Sequence, residues 1–212
     1  RREIHGRIIG IIQEERIMRK GIDVSCFNDG VDWKEVRGAG MEFAIIRLGY
    51  GHRHLDELFY KHVNGALDAG LLVGTYYYSY ALCPEDAKDE ARFTVDILED
   101  CGLPPERLAM GCWFDMEDAD EWKTKHDALD PFLLTDMCAA YVEQMEDLGY
   151  PAGVYASLSW LEDLIETRDL PLGTPLWCAR WGNEPGFPGV RLWQYTDKLP
   201  IGNQYFDGDI WF

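Results

Sequence analysis

The sequence is poor in positive charge. It contains 20 Lys and Arg residues against 38 Asp and Glu residues, which gives a formal net charge of −18 at pH 7. A nucleic-acid-binding protein needs a clustered basic face to neutralise phosphates, and an anionic membrane surface attracts the same kind of face. The charge balance therefore argues against nucleic acid as a partner and disfavours a membrane surface.

Metal-binding cysteine patterns and long apolar runs are also missing. The six cysteines form no CxxC pair and have no histidine close by, so a zinc site is not indicated. No stretch reaches the roughly 20 apolar residues of a membrane span, and no signal peptide is visible. The sequence therefore predicts no metal, no cofactor and no stable membrane insertion.

The chain has ample material for a core. Hydrophobic residues make up 47% and aromatic residues 13% of its 212 residues, enough to bury a sizeable interior. Residues 1–20 differ from the rest by a local basic excess around the apolar run IIGII, and we expect them to form an N-terminal arm or linker. Residues 21–212 contain no linker-like division and are predicted to form a single domain, expected to be a monomer.

Short β-rich runs alternate with helical patterns along the chain. Five such runs each precede a helical segment, whereas the last three are joined by short connections only. The runs are GIDVS (21–25), FAIIRLGYG (43–51), LVGTYYYSY (72–80), MGCWFDME (110–117), GVYAS (153–157), PLWCARW (175–181), VRLWQYTD (190–197) and GDIWF (208–212). Repeated β-then-α units imply right-handed crossovers and a parallel sheet covered by helices. The sequence therefore predicts an α/β fold, an irregular (βα)5β3 TIM-like barrel whose three final strands are partly antiparallel.

Polar and aromatic side chains concentrate in these strands. In barrels of this kind the loops at the carboxyl ends of the strands converge on one open face, where the chemistry takes place. The candidate site residues are Asp23, Arg47, Tyr76, Tyr78, Asp115, Glu117, Tyr155, Trp181, Gln194, Tyr195 and Asp207. The aromatic members offer flat apolar faces with polar edges, which suit stacking on sugar rings.

Asp115 and Glu117 form the most informative pair. Residues two apart in a strand share a face, so both acids are expected to point into the barrel mouth with Asp23 and Asp207. Crowded carboxyl groups cannot all ionise easily, and at least one should stay protonated near neutrality. A protonated acid beside ionised ones is what cleavage of a glycosidic bond requires.

Other interpretations of these acids stay open. Alternating acids also bind divalent metals, which would make Asp115 and Glu117 ligands of a metal-dependent hydrolase. For Asp23 a structural role at the turn after its strand is an alternative to catalysis. The neighbouring Asp118, Asp120 and Glu121 are interpreted as a solvated loop.

An ordered series of motifs resembles the glycoside hydrolases of family 25. The series is GIDVS, RLGYG, GTYYYSYA, FDMED, GVYAS, ARW, WQYT and FDGDIWF, covering about residues 21–212. The resemblance implies a lysozyme of the muramidase type, which cleaves the β-1,4 bond between N-acetylmuramic acid and N-acetylglucosamine in bacterial peptidoglycan. It further implies that residues 21–212 form a catalytic barrel.

The resemblance also implies roles for the acids. Glu117 matches the family's general acid, Asp115 its partner, and Asp23 the acid of the first strand. The last motif of the family usually reads Asp, an apolar residue and Asn, whereas this chain has Asp207, Gly208 and Asp209. Of the two aspartates, Asp207 is predicted to face the cleft.

Family members generally retain the anomeric configuration, which leaves two mechanisms. One is double displacement through a carboxylate nucleophile, and the other is attack by the substrate's own 2-acetamido group oriented by Asp115. The second is favoured by the two-residue spacing. The resemblance implies peptidoglycan glycan strands as partner and an extracellular or cell-wall location, as for a secreted bacterial enzyme or phage lysin. A carbohydrate-binding module without turnover is the alternative outside the enzymes.

The net charge generates a prediction for a wall-degrading enzyme. Bacterial walls carry teichoic phosphates, so a chain with a formal charge of −18 should be repelled from them at low ionic strength. We expect the rate of wall lysis to rise as salt is increased to moderate concentrations. Turbidity loss of wall suspensions across a salt series measures this, and a rate that falls at every step would contradict it.

Overall fold

The computed structural model describes residues 18–212. The strands are β1 (Arg19–Val24), β2 (Phe43–Tyr50), β3 (His54–Leu55), β4 (Leu72–Tyr78), β5 (Cys112–Asp115), β6 (Ala152–Ser157), β7 (Leu176–Ala179), β8 (Leu192–Ile201) and β9 (Gln204–Trp211). The helices are α1 (Trp33–Gly38), α2 (Phe59–Asp68), α3 (Pro84–Asp100), α4 (Trp122–Lys125), α5 (Pro131–Asp147) and α6 (Leu158–Asp163). Two short 3-10 helices cover Pro105–Arg107 and Thr167–Asp169.

Eight of the strands close into a barrel. Their order is β1-β9-β8-β7-β6-β5-β4-β2, and pairing of β1 with β2 completes the circle. All neighbours are parallel except β9, which runs antiparallel to both β1 and β8. The short β3 adds an antiparallel edge beside β2. The predicted (βα)5β3 barrel with partly antiparallel closing strands is confirmed.

Some boundaries differ from the prediction. The first strand begins at Arg19, whose Cα partner in β9 is Trp211, so the last residues of the predicted arm 1–20 belong to the barrel; the part of the arm before residue 18 lies outside the described residues. Strand β5 ends at Asp115, and Glu117 therefore lies in the following loop. The last two strands form a hairpin around Gly202 and residue 203, so Asp207 lies inside β9 rather than at its start.

Local sequence signals explain where the long helices begin and end. The Asp130 side chain accepts a hydrogen bond from Leu133 N, and Pro131 occupies the first turn of α5, where no backbone donor is needed. Gly149 follows this helix with φ +87°, the left-handed conformation that glycine adopts without steric cost. None of the described helices is long and apolar enough to cross a membrane.

Two layers of apolar side chains hold the barrel together. Outward-facing strand residues pack under the helices, as where Phe114 stacks on Tyr141 of α5 with 4.1 Å between ring centroids. The barrel interior is filled by Phe43, Ile45, Met110, Trp113, Trp177 and Leu192. The rings of Trp113 and Trp177 lie 5.8 Å apart at a steep angle. This interior layer forms the floor below the carboxyl ends of the strands.

The space around Trp113 is available only because β6 carries a glycine there. A Cβ atom on Gly153 would lie 2.5 Å from the Trp113 ring and 2.6 Å from the Pro175 carbonyl oxygen. Since neither group is a flexible chain end, Gly153→Ala should lower the free energy of unfolding by about 1 to 3 kcal/mol. Chemical denaturation measures the change. Gly182→Ala, with no atom within 4 Å of the added Cβ, is the control, and equal effects of the two substitutions would contradict the packing argument.

Candidate active site

A cleft of about 650 Å³ opens at the carboxyl end of the barrel. Its lining is Ser25, Cys26, Phe27, Arg47, Tyr50, Tyr76, Tyr78, Tyr80, Asp115, Glu117, Ala119, Asp120 and Asp207. Of the predicted site residues, Arg47, Tyr76, Tyr78, Asp115, Glu117 and Asp207 are therefore brought together here. The strand ends deliver them from β2, β4, β5 and β9.

Asp115 is the most deeply placed of the acids that line the cleft. It is buried, and its Oδ1 has no hydrogen-bond partner among the described residues. Burial raises the pKa of Asp115 well above its usual value, and the nearby Glu117 carboxyl group raises it further. Burial likewise raises the pKa of Glu117, which lies at the start of the loop after β5. Both groups therefore hold their protons more tightly than free carboxyl groups do.

A buried cation, Lys123 of α4, lies behind this acid pair. Its Nζ donates hydrogen bonds to the backbone oxygens of Ser79, at 2.5 Å, and of Glu117, at 3.3 Å. Its positive charge lowers the pKa of both Asp115 and Glu117 and so opposes the effect of burial. The short helix is held in place by Asp118, whose carboxylate accepts from Lys123 N and Thr124 N. No periodicity or motif in the sequence singled out this lysine.

Asp23 lies across the barrel mouth from the acid pair. Tyr155 Oη donates to Gln194 Oε1 at 3.2 Å, and Gln194 Nε2 donates to Asp23 Oδ2 at 2.9 Å. These three predicted residues thus form a hydrogen-bonded chain that reaches from β6 over β8 to β1. Burial, followed by the charge of Asp207, raises the pKa of Asp23 to about 7.

Asp207 and Asp209 share the inner face of β9 at different depths. Asp207 lines the cleft, and burial raises its pKa to about 6. Asp209 is fully buried beneath it, where its Oδ1 accepts a hydrogen bond from Trp177 Nε1 at 2.9 Å. The two acids therefore occupy different environments, one at the cleft wall and one inside the barrel.

Arg47 supplies a positive charge to the cleft wall. Its Nε donates to Asp56 Oδ2 at 2.8 Å, and its Nη2 donates to Cys26 Sγ at 3.0 Å. The guanidinium group also lies over the rings of Phe27 and Tyr50, with its Cζ 5.2 and 5.1 Å from their centroids. Phe27 is 85% exposed, so this arrangement places an aromatic face at the rim of the cleft.

The opposite wall is also aromatic. Tyr80 stacks on Trp122 with 4.9 Å between ring centroids. The hydroxyl groups of Tyr78 and Tyr80 both donate to Asp120. Asp120 is exposed in the loop after β5, in agreement with the interpretation as a solvated loop, and these contacts also place it in the cleft wall. No local pattern predicted the contacts, since the partners are 40 residues or more apart.

Five predicted residues are not part of the cleft lining, namely Asp23, Tyr155 and Gln194 of the hydrogen-bonded chain described above, and Trp181 and Tyr195. Trp181 follows β7 and is 63% exposed. Tyr195 neighbours Gln194 in β8 and lies on the opposite, outer face of the strand, where its ring approaches Gly208. Because successive strand residues alternate in direction, Gln194 and Tyr195 cannot both point into the barrel. Tyr195, predicted as a substrate-binding residue, therefore lies outside the cleft lining.

The possible metal ligands that converge lie elsewhere than the acid pair. In the part of the chain that the structure describes, three such groups with ligand atoms within 4.8 Å of one another are found at Cys26, Asp56 and Glu57. Arg47 donates to two of these groups and so already places a cation there. Among residues 18–212, Asp115 and Glu117 belong to no such group of three.

Comparison with known proteins identifies the family. Residues 22–204 match the model of the glycosyl hydrolases family 25. The chain belongs to this family. The predicted recognition is therefore confirmed, and with it the predicted enzyme class, glycoside hydrolase.

Curated relatives of this family 25 chain are distant. It is 23% identical to lysozyme M1 of Streptomyces globisporus over 90% of its own length, and 25% identical to the autolytic lysozyme of Clostridium acetobutylicum over 84%. The chain spans only 66% and 51% of these two relatives, respectively.

Solved structures share the fold. The chain is similar to the modular autolysin LytC of Streptococcus pneumoniae, solved with a synthetic peptidoglycan ligand, with a TM-score of 0.80 and 23% identity; 92% of this chain and 47% of that chain are covered. It is also similar to a family 25 glycosyl hydrolase from Bacillus anthracis, with a TM-score of 0.76 and 22% identity over 92% of this chain and 88% of that one.

A buried acid behind the cleft makes the stability of this family 25 chain depend on pH. Glu90 of α3 accepts a hydrogen bond from Tyr80 N at 2.9 Å, and burial raises its pKa to about 8. The folded state therefore keeps a proton that the unfolded chain releases above about pH 4.5. Stability from this group is complete below that pH and is lost as the pH rises towards 8.

We expect Glu90→Gln to remove this loss. In wild type, the titration of Glu90 should lower the free energy of unfolding by on the order of 3 kcal/mol between pH 5 and pH 8.5. The variant should lack this decrease because an amide does not titrate. Denaturation curves of both proteins at the two pH values measure the difference. Glu99→Gln, at an exposed position of the same helix, is the control. Parallel pH dependence of Glu90→Gln and wild type would contradict the assignment.

Proposed function

We propose that the protein is a lysozyme that hydrolyses the β-1,4 bond between N-acetylmuramic acid and N-acetylglucosamine in bacterial peptidoglycan. The observation that carries the proposal is the pair of buried Asp115, at the end of β5, and half-buried Glu117 beside an aromatic-walled cleft, with one Asp115 oxygen that has no partner among the described residues. Membership of family 25 supports the reaction type. The names of relatives, which include lysozymes and an N,O-diacetylmuramidase from Arthroderma benhamiae, support the substrate.

Glu117 acts as the general acid in this proposal. Its raised pKa keeps it protonated to a higher pH than a free glutamic acid, and its place at the cleft wall lets it reach the leaving oxygen. As the glycosidic bond breaks, the proton moves from Glu117 to that oxygen. The Glu117 carboxylate formed in this step then takes a proton from the attacking water in the second step.

Asp115 orients the 2-acetamido group of the substrate. The acetamido N–H donates to the otherwise unpartnered Asp115 Oδ1, which stabilises the ionised form of Asp115 in an environment that otherwise opposes it. The acetamido carbonyl oxygen attacks the anomeric carbon from the face opposite the leaving group. Water then opens the cyclic intermediate from the original face, so two inversions give retention.

The remaining acids stabilise charge and neither transfer a proton nor form a covalent bond. Asp23, held by Gln194, and Asp207 at the cleft wall stabilise positive charge at the anomeric carbon. The faces of Phe27, Tyr50, Tyr78 and Tyr80 offer surfaces for sugar rings. Tyr76 and Tyr155 pack on Trp177 at the base of the mouth, and the exposed Trp181 extends the aromatic surface beyond the cleft lining. The protein works as a monomer, outside the cell or at the wall.

Two alternative functions agree less well with the arrangement of the acids. A metal-dependent hydrolase would need further ligands near Asp115 and Glu117, and the cluster at Cys26 does not supply them. A carbohydrate-binding module without turnover would have no use for several buried, mutually repelling carboxyl groups, each of which opposes folding at neutral pH. The acid cluster therefore favours the enzyme.

The test is release of reducing ends from purified peptidoglycan, with mass analysis of the products and a chelator present. Wild type should release chains that end in muramic acid and should be indifferent to chelator. Glu117→Gln should lower kcat by about 100- to 10,000-fold, because the general acid is lost. The matched control is Glu121→Gln in the same loop, outside the cleft lining, which should act like wild type.

Each alternative has its own signature in this assay. Peptidoglycan that is bound but uncut by wild type would establish the binding module instead, and activity abolished by chelator would make the acids metal ligands. Proton NMR of the first-formed products reports retention or inversion. A covalent glycosyl-enzyme trapped in the Glu117→Gln variant would replace the acetamido mechanism with double displacement.

A further inference from the structure

Asp209 is a buried acid to which the proposed mechanism gives no task. It lies on the inner face of β9 with 0% exposure, and its Cα is paired with Gly21 of β1 and Gln194 of β8. Trp177 Nε1 donates to its Oδ1 at 2.9 Å. Its Oδ2 has no partner among the described residues. Such an orphaned, fully buried oxygen is costly unless it carries a proton or meets a donor.

The acid next to Asp209 on the paired strand is Asp23. In the register of β1 and β9, Asp23 is paired with Asp207 and Gly21 with Asp209, so Asp23 and Asp209 are diagonal neighbours. Asp23 already accepts a hydrogen bond from Gln194, whose Cα is paired with Asp209. Two carboxyl groups that face each other away from water cannot both be ionised without strong repulsion. The pair must therefore retain a proton at a pH where free aspartates have lost theirs.

The surroundings assign this proton to Asp209. Asp209 is the deeper of the two, at 0% exposure against 6% for Asp23. Burial and the charge of Asp23 raise the pKa of Asp209 well above its usual value. A hydrogen bond donated by Asp209 acts on Asp23 in the opposite direction and favours its ionised form. Oδ2 is free to carry the proton because Trp177 binds the other oxygen.

We propose that Asp209 is a positioning residue that holds a proton inside the barrel and donates it in a hydrogen bond to Asp23, which keeps Asp23 ionised and aimed into the cleft. The effect on catalysis rests on the proposed function, in which Asp23 stabilises positive charge on the sugar. The place of the proton does not rest on it. An asparagine amide at this position would donate at every pH. Here the donor exists only while Asp209 is protonated.

Other charged and titratable groups also face the pair and contribute to its titration. Asp207 of β9 and Tyr195 of β8 act on or respond to Asp209. The groups that interact with Asp23 are Asp207, Glu117, Asp115, Tyr76 and Tyr155. The experiment must therefore observe the two carboxyl groups individually.

Carbon-13 NMR of protein labelled at the aspartate carboxyl carbons observes them, with signals assigned by single substitutions. The Asp209 signal should keep the position of a protonated acid at pH 6, where the Asp23 signal should already respond to pH. Asp209→Leu removes the donor and should raise the pKa of Asp23 by about one unit or more, because hydrogen bonds to charged groups have that strength. Asp209→Asn restores a donor and should return the Asp23 titration towards that of wild type.

Measurement of catalytic activity provides a second test. Asp209→Leu should lower kcat/KM by about 10- to 100-fold and move the acid limb of its pH profile upward. Asp209→Asn should rescue most of this loss. Asp163→Asn, an exposed position at the end of α6, is the control. A purely structural role would lower the melting temperature of both Asp209 variants and leave the acid limb in place.

The outcomes are separable from those of the proposed function. An Asp209 signal of an ionised carboxylate at pH 6, or an Asp23 titration unmoved by Asp209→Leu, would overturn the proposal. If Asp209→Leu does not fold, the wild-type and Asp209→Asn titrations still decide where the proton lies. If the wild-type protein cuts no peptidoglycan, the proposed function fails while the NMR titration keeps its meaning.

Discussion

The crowding of buried carboxyl groups is the constraint on which the whole site depends. Asp23, Asp115 and Asp209 are buried, and burial together with the charge of a neighbouring acid raises the pKa of each one. The protein offsets this cost with few groups. Lys123 lies behind one side of the mouth, while the opposite side relies on neutral donors, Gln194 and Trp177. Protons retained on the acids supply the remaining stabilisation.

Packing of the barrel interior and this chemistry are linked through Trp177. The ring fills the barrel against Trp113, Tyr76 and Tyr155, and its Nε1 binds Asp209. The neighbouring Trp113 ring has room only because β6 carries Gly153. The same rings that exclude water from the floor of the mouth thus provide the polar contact that one of its acids needs. A change in the apolar layer would therefore also act on the acids above it.

The sequence was sufficient for the fold because the strand and helix periods alternate so regularly. It failed at the closing hairpin, where strands were predicted over 190–197 and 208–212, whereas the ladder continues through Ile201 and resumes at Gln204. Six residues of the cleft lining were found from their places in or after the predicted strands. Lys123 and Asp120 were not, because contacts to Ser79 and Tyr80 join segments about 40 residues apart. Strand pairing does not determine the positions of the segments that follow the strands, and these contacts depend on those positions.

Depth along a strand was the other quantity that the sequence could not supply. Asp207 and Asp209 share a face by spacing alone, and only the closed barrel separates a cleft acid from an interior one. This separation changes the meaning of the formal charge of −18, which counts every carboxyl group as ionised. With pKa values of about 7 for Asp23 and about 8 for Glu90, and with the pKa values of Asp115 and Asp209 raised as well, this count overstates the ionised carboxyl groups at and behind the mouth. A wall that carries anionic phosphates would therefore meet a weaker electrostatic barrier inside the cleft than the formal charge suggests.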